Sequence, residues 1–116
     1  MRSLIANAAL ALILVAGPAD AHALLDHAEP RVGSTVSTPP REVSLSFTQR
    51  LEPAFSGAQV YDASGARVDV GRAQIAGSVM RIALKALAPG TYRVRWKVLS
   101  VDTHTTEGSF TFRVGP

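Results

Sequence analysis

The sequence from Thr91 to Leu99 reads TYRVRWKVL. Apolar side chains recur at every second position, with Tyr92, Val94, Trp96 and Val98 on one face and only polar or charged residues on the other. Because successive side chains of a β-strand point to opposite faces of a sheet, this period of two predicts a strand with one buried face. The stretch therefore indicates a half-buried sheet.

The same alternation continues on both sides of this stretch. Residues 43–48, 79–86 and 109–114 each place apolar side chains on one face. Residues 59–61 and 67–70 predict two shorter strands, which we expect to form a hairpin through the turn at 62–65. An extended lead-in follows residue 22, and no later segment keeps a helical period of apolar residues.

About seven short strands separated by turn residues predict an all-β fold. The expected architecture is a small antiparallel Greek-key sandwich or barrel of immunoglobulin-like type. Its core is predicted to contain the large apolar side chains of the alternating faces, namely Trp96, Tyr92, Phe47, Phe110, Phe112 and Met80.

The first 21 residues predict an export signal. Arg2 gives a positive start, the apolar run from Leu4 to Ala16 is shorter than the roughly 20 residues that span a bilayer, and Ala19-Asp20-Ala21 has the small-x-small form of a cleavage site. Cleavage after Ala21 leaves one domain, residues 22–116, with no membrane span, which we expect to be a periplasmic monomer. Ala21-His22-Ala23 also fits the cleavage pattern, so a cut after Ala23 stays open.

The composition excludes several classes of function. The 116 residues contain no cysteine, which rules out a disulfide framework and thiolate metal sites. Twelve basic and nine acidic residues give a net charge of +3, and the arginines are dispersed among apolar neighbours. That dispersion is typical of solvated sheet faces and not of a nucleic-acid-binding patch.

Asp102 and His104 predict a metal site. In an extended backbone, residues two apart point to the same face, so these side chains are expected side by side. A third donor is expected from His22, which the cut after Ala21 makes the first residue, with an α-amino group and a ring nitrogen that chelate together. Such nitrogen and oxygen donors favour one Cu(II) ion per chain over zinc, which prefers tetrahedral sites.

The mature chain resembles the CopC family of periplasmic copper-resistance proteins. The resemblance rests on His22-Ala-Leu-Leu after the signal, on residues 43–49, on the closing residues 108–114, and on Pro-Gly-x-Tyr-x-Val-x-Trp followed by Ser-x-Asp-x-His at residues 89–104. It implies a Greek-key β-barrel that binds Cu(II) through His22, Asp102 and His104. It also implies transfer of copper to a CopD-type membrane partner.

The chain departs from the family pattern at three places. Many relatives carry glycine where Thr103 stands, and many carry glutamate near Gln49. Some relatives have a methionine-rich Cu(I) site, whereas this chain keeps only Met80 after cleavage. We therefore predict a Cu(II) site and no Cu(I) site.

Two other functions stay open from the residues alone. A copper monooxygenase also uses an amino-terminal histidine chelate, but it needs an exposed aromatic binding face that this chain lacks. No nucleophile–base pair or phosphate loop indicates catalysis, and we predict that the protein is not an enzyme. A metal-free interaction domain is the other alternative. Two weaker hypotheses concern single residues. His27 would be an auxiliary metal ligand, and Glu107 would accept a hydrogen bond from an imidazole ring and orient it.

Overall fold

The computed structural model describes residues 23–116, which form eight β-strands and one 3-10 turn. The predicted export signal and His22 lie outside the described residues. In chain order the strands are β1 (Leu25–Glu29), β2 (Thr35–Val36), β3 (Glu42–Phe47), β4 (Gly57–Tyr61), β5 (Asp69–Ala76), β6 (Val79–Leu84), β7 (Gly90–Leu99) and β8 (Thr105–Val114). The 3-10 turn spans Pro53–Phe55. Within residues 23–116, no helix is long and apolar enough to cross a membrane.

The strands form two four-stranded sheets. One sheet has the order β1-β3-β6-β5 and the other β2-β8-β7-β4. Every pairing is antiparallel except that of the two-residue β2, which runs parallel to the end of β8. The predicted all-β fold is confirmed, in the form of a two-sheet sandwich with one more strand than the seven expected.

The core lies between the sheets and consists of the alternating faces predicted from the sequence. Phe47, Met80, Tyr92, Phe110 and Phe112 are all buried, and the rings of Tyr92 and Phe112 stack with their centroids 5.5 Å apart. Trp96 is only partly buried, because it packs at the margin of the core with its ring edge-on to Phe47.

The hairpin predicted at residues 59–70 is present only beside its turn, where the Val68 N–H donates to the Val60 carbonyl and the Asp62 N–H to the Ala66 carbonyl, both at 2.9 Å. Tyr61 and Arg67 make one isolated bridge, and then the chain crosses from one sheet to the other. β4 pairs with β7, whereas β5 pairs with β6. The turn residues correctly predicted where the chain reverses direction, but β4 and β5 belong to different sheets.

The β7–β8 hairpin is the longest paired element of the described chain and carries two of the predicted metal ligands, Asp102 and His104. Its register runs from Gly90 opposite Val114 to Leu99 opposite Thr105. Tyr92, Val94 and Val98 of β7 are buried, and so is Phe110 of β8, so the apolar faces anchor both strands. Residues 100–104 form the loop that closes this hairpin.

Candidate metal centre

Asp102 and His104 lie side by side at the tip of the β7–β8 hairpin. Asp102 Oδ1 and His104 Nδ1 are 3.6 Å apart, and both side chains are 44% exposed. Neither residue belongs to a strand. The juxtaposition predicted from the sequence is therefore present, but the reason given for it, strand alternation, is wrong.

Ser100 fixes the shape of the loop through hydrogen bonds. Its side chain is fully buried, and its hydroxyl donates a short hydrogen bond to Asp102 Oδ1. The backbone N–H of His104 donates to Ser100 Oγ at 3.3 Å, while the Ser100 N–H donates to the His104 carbonyl at 3.0 Å. One buried serine thus fixes the positions of both candidate ligands.

The loop keeps Asp102 ionised. The hydrogen bond from Ser100 lowers the pKa of Asp102 below its usual value, with a smaller contribution from His104 that opposes the effect of partial desolvation. A carboxylate must be deprotonated to bind a metal. Asp102 is therefore available as a ligand well into the acidic range.

Thr103 takes a backbone conformation that explains the turn. Its φ is +70°, in the left-handed region that β-branched residues rarely adopt. The Thr103 N–H donates to the Ser100 carbonyl at 2.8 Å and closes a tight turn. This turn, in which glycine would be unstrained, brings Asp102 and His104 together across one intervening residue.

The start of the described chain is attached close to this loop. Ala23 is fully buried, and its carbonyl accepts a hydrogen bond of 2.7 Å from Thr106 Oγ1, two residues beyond His104. Leu24 is held on its other side by Thr48, which accepts from the Leu24 N–H at 3.0 Å and donates its own N–H to the Leu24 carbonyl at 2.9 Å. Thr48 and Thr106 together clamp the segment that immediately follows His22.

The residues predicted as ligands are brought together in part. The structure places Asp102 and His104 next to each other, and His22 lies outside the described residues. Within residues 23–116 no group of three or more histidine, cysteine or acidic side chains forms a metal site. The described residues thus supply two neighbouring donors, with Ala23 fixed beside the strand that follows them.

Two secondary candidates take other positions. His27 lies on β1, exposed, with its Nε2 atom 3.6 Å from Glu29 Oε2. Glu107 lies within β8 opposite Lys97, and so it is a strand residue and not the loop charge considered from the sequence. The auxiliary metal role of His27 stays a prediction.

Sequence reasoning missed three residues that position the site, Ser100, Thr106 and Thr48. Ser100 belongs to the Ser-x-Asp-x-His string, so its spacing from both ligands was a signal that could have been used. Thr48 and Thr106 act over separations of 24 and 83 residues, which no local pattern reveals.

Comparison with known proteins gives consistent matches. Residues 25–115 match the family model described as CopC domain. The chain is 33% identical to copper resistance protein C of Xanthomonas campestris pv. juglandis, over 90% of this chain and 89% of that protein. It is 29% identical to copper transport protein CutJ of Bacillus subtilis, over 91% of this chain but only 20% of that longer protein.

A solved structure matches both sheets. The crystal structure of CopC from Methylosinus trichosporium OB3b superposes with a TM-score of 0.77 at 34% identity, covering 82% of this chain and 95% of that one. The match extends the sequence similarity to the whole sandwich.

Proposed function

This chain belongs to the CopC domain family, and from that premise we propose that it is a periplasmic carrier of one Cu(II) ion, bound by His22, Asp102 and His104. Proteins of this family handle copper in resistance and transport, and they are not enzymes. The copper monooxygenase considered from the sequence is therefore set aside. What remains to be proposed is the ligand set, the oxidation state and the route of delivery.

The attachment of Ala23 to Thr106 carries the proposed ligand set. His22 is covalently joined to Ala23, and consecutive Cα atoms are about 3.8 Å apart. The Ala23 carbonyl is hydrogen-bonded two residues beyond His104, which in a strand is about 7 Å along the chain. This short path supports a ligand set in which His22 joins the two described donors.

The donor chemistry favours Cu(II). One carboxylate, two imidazoles and a free amine offer nitrogen and oxygen atoms, which suit the tetragonal preference of Cu(II). Cu(I) is held by thiolate and thioether ligands. Met80, the only methionine beyond the predicted signal, is fully buried in the core, which supports the prediction that Cu(I) has no site here.

The burial of Ala23 also supports cleavage after Ala21. A cut after Ala23 would remove a fully buried residue and its hydrogen bond to Thr106, together with the amino-terminal histidine. We therefore propose that the mature domain begins at His22. The intact mass of the exported protein distinguishes the two cuts.

Copper titration of the mature protein tests this function. A chain that starts at His22 is expected to bind one Cu(II) ion, with an electron paramagnetic resonance spectrum typical of mixed nitrogen and oxygen ligands. The matched control is the same chain with its amino terminus acetylated, because acetylation removes the chelating amine and leaves every side chain. The control is expected to bind at least tenfold more weakly.

Three single substitutions separate this function from a metal-free interaction domain. His22→Ala, Asp102→Ala and His104→Ala should each weaken Cu(II) binding, whereas His27→Ala should not. Equal affinity in all four variants would contradict the ligand set. Tight stoichiometric Cu(I) binding without oxygen would contradict the choice of oxidation state.

Delivery of copper to a membrane transporter of the CopD type is the second part of the proposal. It is supported by the match to CutJ, in which the similar segment is a fifth of a longer copper transport protein. For this chain we propose a CopD-type protein as the recipient of the copper. Transfer from the loaded chain to vesicles containing such a transporter should be faster than spontaneous dissociation, measured with a chelator in place of the vesicles.

A further inference from the structure

The outer face of the second sheet carries a row of cations. Arg93, Arg95 and Lys97 of β7 are all exposed on the side away from the core, and Arg113 of β8 shares this side. We call these four residues the cationic face. Arg93 and Arg113 donate hydrogen bonds to the neighbouring hydroxyls of Ser109 and Thr91.

Most of this charge is not neutralised within the sheet. Among the ion pairs found in residues 23–116, none includes a member of the cationic face. The carboxylate on this side is Glu107, which lies opposite Lys97 in the β7–β8 register. On the other sheet, by contrast, Arg81 has Glu42 at 3.8 Å.

A groove crosses the cationic face. It has a volume of about 650 Å³ and lies between the 3-10 turn and the two long strands. The side chains that give it its chemical character are Phe55, Gln59, Tyr61, Arg95, Lys97 and Glu107. Phe55 is 70% exposed at its edge, which is unusual for a large apolar side chain and offers an apolar contact to a partner.

The groove lies beside the candidate copper loop. Lys97 of β7 and Ser100, the residue just beyond the end of β7, are three residues apart, or about 10 Å at the rise of a strand. The segment that presents Phe55 is fixed to the end of the same strand, because Ser56 Oγ accepts from the Leu99 N–H at 3.0 Å and the Glu52 N–H donates to the Leu99 carbonyl at 2.9 Å. A molecule in the groove would therefore be adjacent to the loop that holds Asp102 and His104.

We infer that this groove binds an extended acidic peptide segment of the protein that receives the copper. Arg95 and Lys97 would contact its carboxylates, the Tyr61 hydroxyl and the Gln59 amide would contact its backbone, and Phe55 would pack on an apolar side chain. The inference rests on the proposed function, because the groove gains its role from the copper loop at its end. Long-range attraction would also increase the association rate.

A peptide fits this surface better than a lipid bilayer does. Proteins that bind membrane surfaces insert an apolar face into the headgroup region. Here the cations line a concave groove, and the aromatic hydroxyl and amide lie inside it with them. The cations can pair with carboxylates, while the hydroxyl and the amide can hydrogen-bond to a peptide backbone.

The test uses isotope-labelled protein without copper, because paramagnetic Cu(II) broadens nearby amide signals, and the synthetic peptide Ac-Glu-Asp-Phe-Glu-Asp-Leu-Glu-Asp-amide. Saturable amide shifts are expected in β4, β7 and the 3-10 turn, and they should weaken as salt is added. The peptide with Gln and Asn in place of its acidic residues should not bind. Arg95→Gln with Lys97→Gln should reduce affinity about tenfold without changing Cu(II) affinity.

The matched control removes two charges from the opposite sheet. Arg72→Gln with Arg81→Gln lowers the net charge equally, and this variant should bind the peptide as the parent does. An equal loss in both double variants would overturn the inference, because net charge alone would then explain binding. Binding of phosphatidylglycerol vesicles through the same residues, without competition from the peptide, would overturn it in favour of a membrane.

Failure of this inference and failure of the proposed function have different signatures. If the parent chain binds no Cu(II), the proposed function fails whatever the peptide does. If the parent chain binds Cu(II) but the acidic peptide gives no saturable shift, only the acidic docking site fails.

Discussion

Two aspartates of this protein each lie two residues from a basic side chain, but their roles differ. Asp69 follows Arg67 by two residues, and Asp102 precedes His104 by two residues. The Asp69 side chain is 2% exposed and receives two hydrogen bonds of 2.7 Å from Arg67 and one of 3.0 Å from the Val60 N–H. The Asp102 side chain is 44% exposed and has Ser100 below it.

The comparison teaches that burial and the number of donors decide what a carboxylate can do. Asp69 links the start of β5 to the sheet that contains β4, and both of its carboxylate oxygens already accept hydrogen bonds. Asp102 faces solvent beside an imidazole, in a loop whose shape is fixed by other groups. Hence Asp69 serves the fold, whereas Asp102 is positioned to bind a ligand.

The largest expected difference between the two sites is in copper binding. Asp102→Ala should weaken Cu(II) binding by about a hundredfold or more, because losing a group that only orients a metal ligand already costs about 10–100-fold. Asp69→Ala should leave the affinity unchanged, provided the protein is folded. Isothermal titration of both variants against the same competing chelator measures the difference, and equal losses would remove the distinction between the sites.

The stability of the same two variants should change in the opposite way. Asp69→Ala leaves the buried Val60 N–H without its acceptor, and a buried unsatisfied donor costs about 1–3 kcal/mol of unfolding free energy. Asp102→Ala removes an exposed side chain, and the buried Ser100 hydroxyl can still donate to the His104 carbonyl at 3.3 Å, so this variant should unfold at nearly the same urea concentration as the parent. Asp26→Ala, at an exposed position, is a second control. If it lost as much stability as Asp69→Ala, the unsatisfied Val60 N–H would not explain the loss.

Thr106→Val tests the clamp that links the amino-terminal segment to the copper loop. The change keeps the shape of the side chain but removes the hydrogen bond to the Ala23 carbonyl, a loss of about 1 kcal/mol or roughly fivefold in Cu(II) affinity. Thr106→Ser should restore most of this affinity. Thr105→Val, at the preceding residue of β8, is the control. An unchanged Cu(II) affinity in Thr106→Val would show that the clamp does not position the ligand.

Acid should destabilise the protein partly through Asp69. Its hydrogen bonds with Arg67, and then with the Val60 N–H, lower the pKa of Asp69 in the folded state in spite of its burial. This contribution to stability is complete above the unfolded pKa of about 3.9 and is lost as the pH falls through the lower folded value.

Urea unfolding of the parent and of Asp69→Asn between pH 2 and pH 6 measures this effect. The parent should lose more stability than the variant below about pH 4, because the variant has no carboxylate to protonate there. Parallel curves over the whole range would contradict the role of the Asp69 carboxylate.

Thr103→Gly should have the smallest effect. It relieves the positive φ of Thr103, worth about 1–2 kcal/mol, but adds freedom to the unfolded chain that costs about 0.5–1 kcal/mol, so a net gain of about 0.5–1 kcal/mol in stability is expected. Copper affinity should not change, since the ligands flank this position. A thermal melt combined with a copper titration checks both statements, and a large drop in affinity would mean that Thr103 does more than form the turn.

The alternation of residues 91–99 predicted a half-buried strand, and the same pattern in the other segments predicted the class of fold and most of the core. Period-two burial is a local property, because side-chain direction in a strand follows from the backbone itself. For the same reason the buried faces of Phe47, Met80 and Phe112 were predicted correctly. The pairing of β4 and β5 was not, since partner choice depends on which sheet covers each face.

For the candidate site, the sequence by itself determined the donors Asp102 and His104 and their nearness along the chain. Only the tertiary structure decided that a turn with a left-handed Thr103 brings them together, that buried Ser100 orients both, and that Thr106 holds Ala23 beside them. The physical reason is that the burial of Ser100 and the hydrogen bond from Thr106 to Ala23, 83 positions away, exist only after the sheets have packed. No local pattern of residues encodes them.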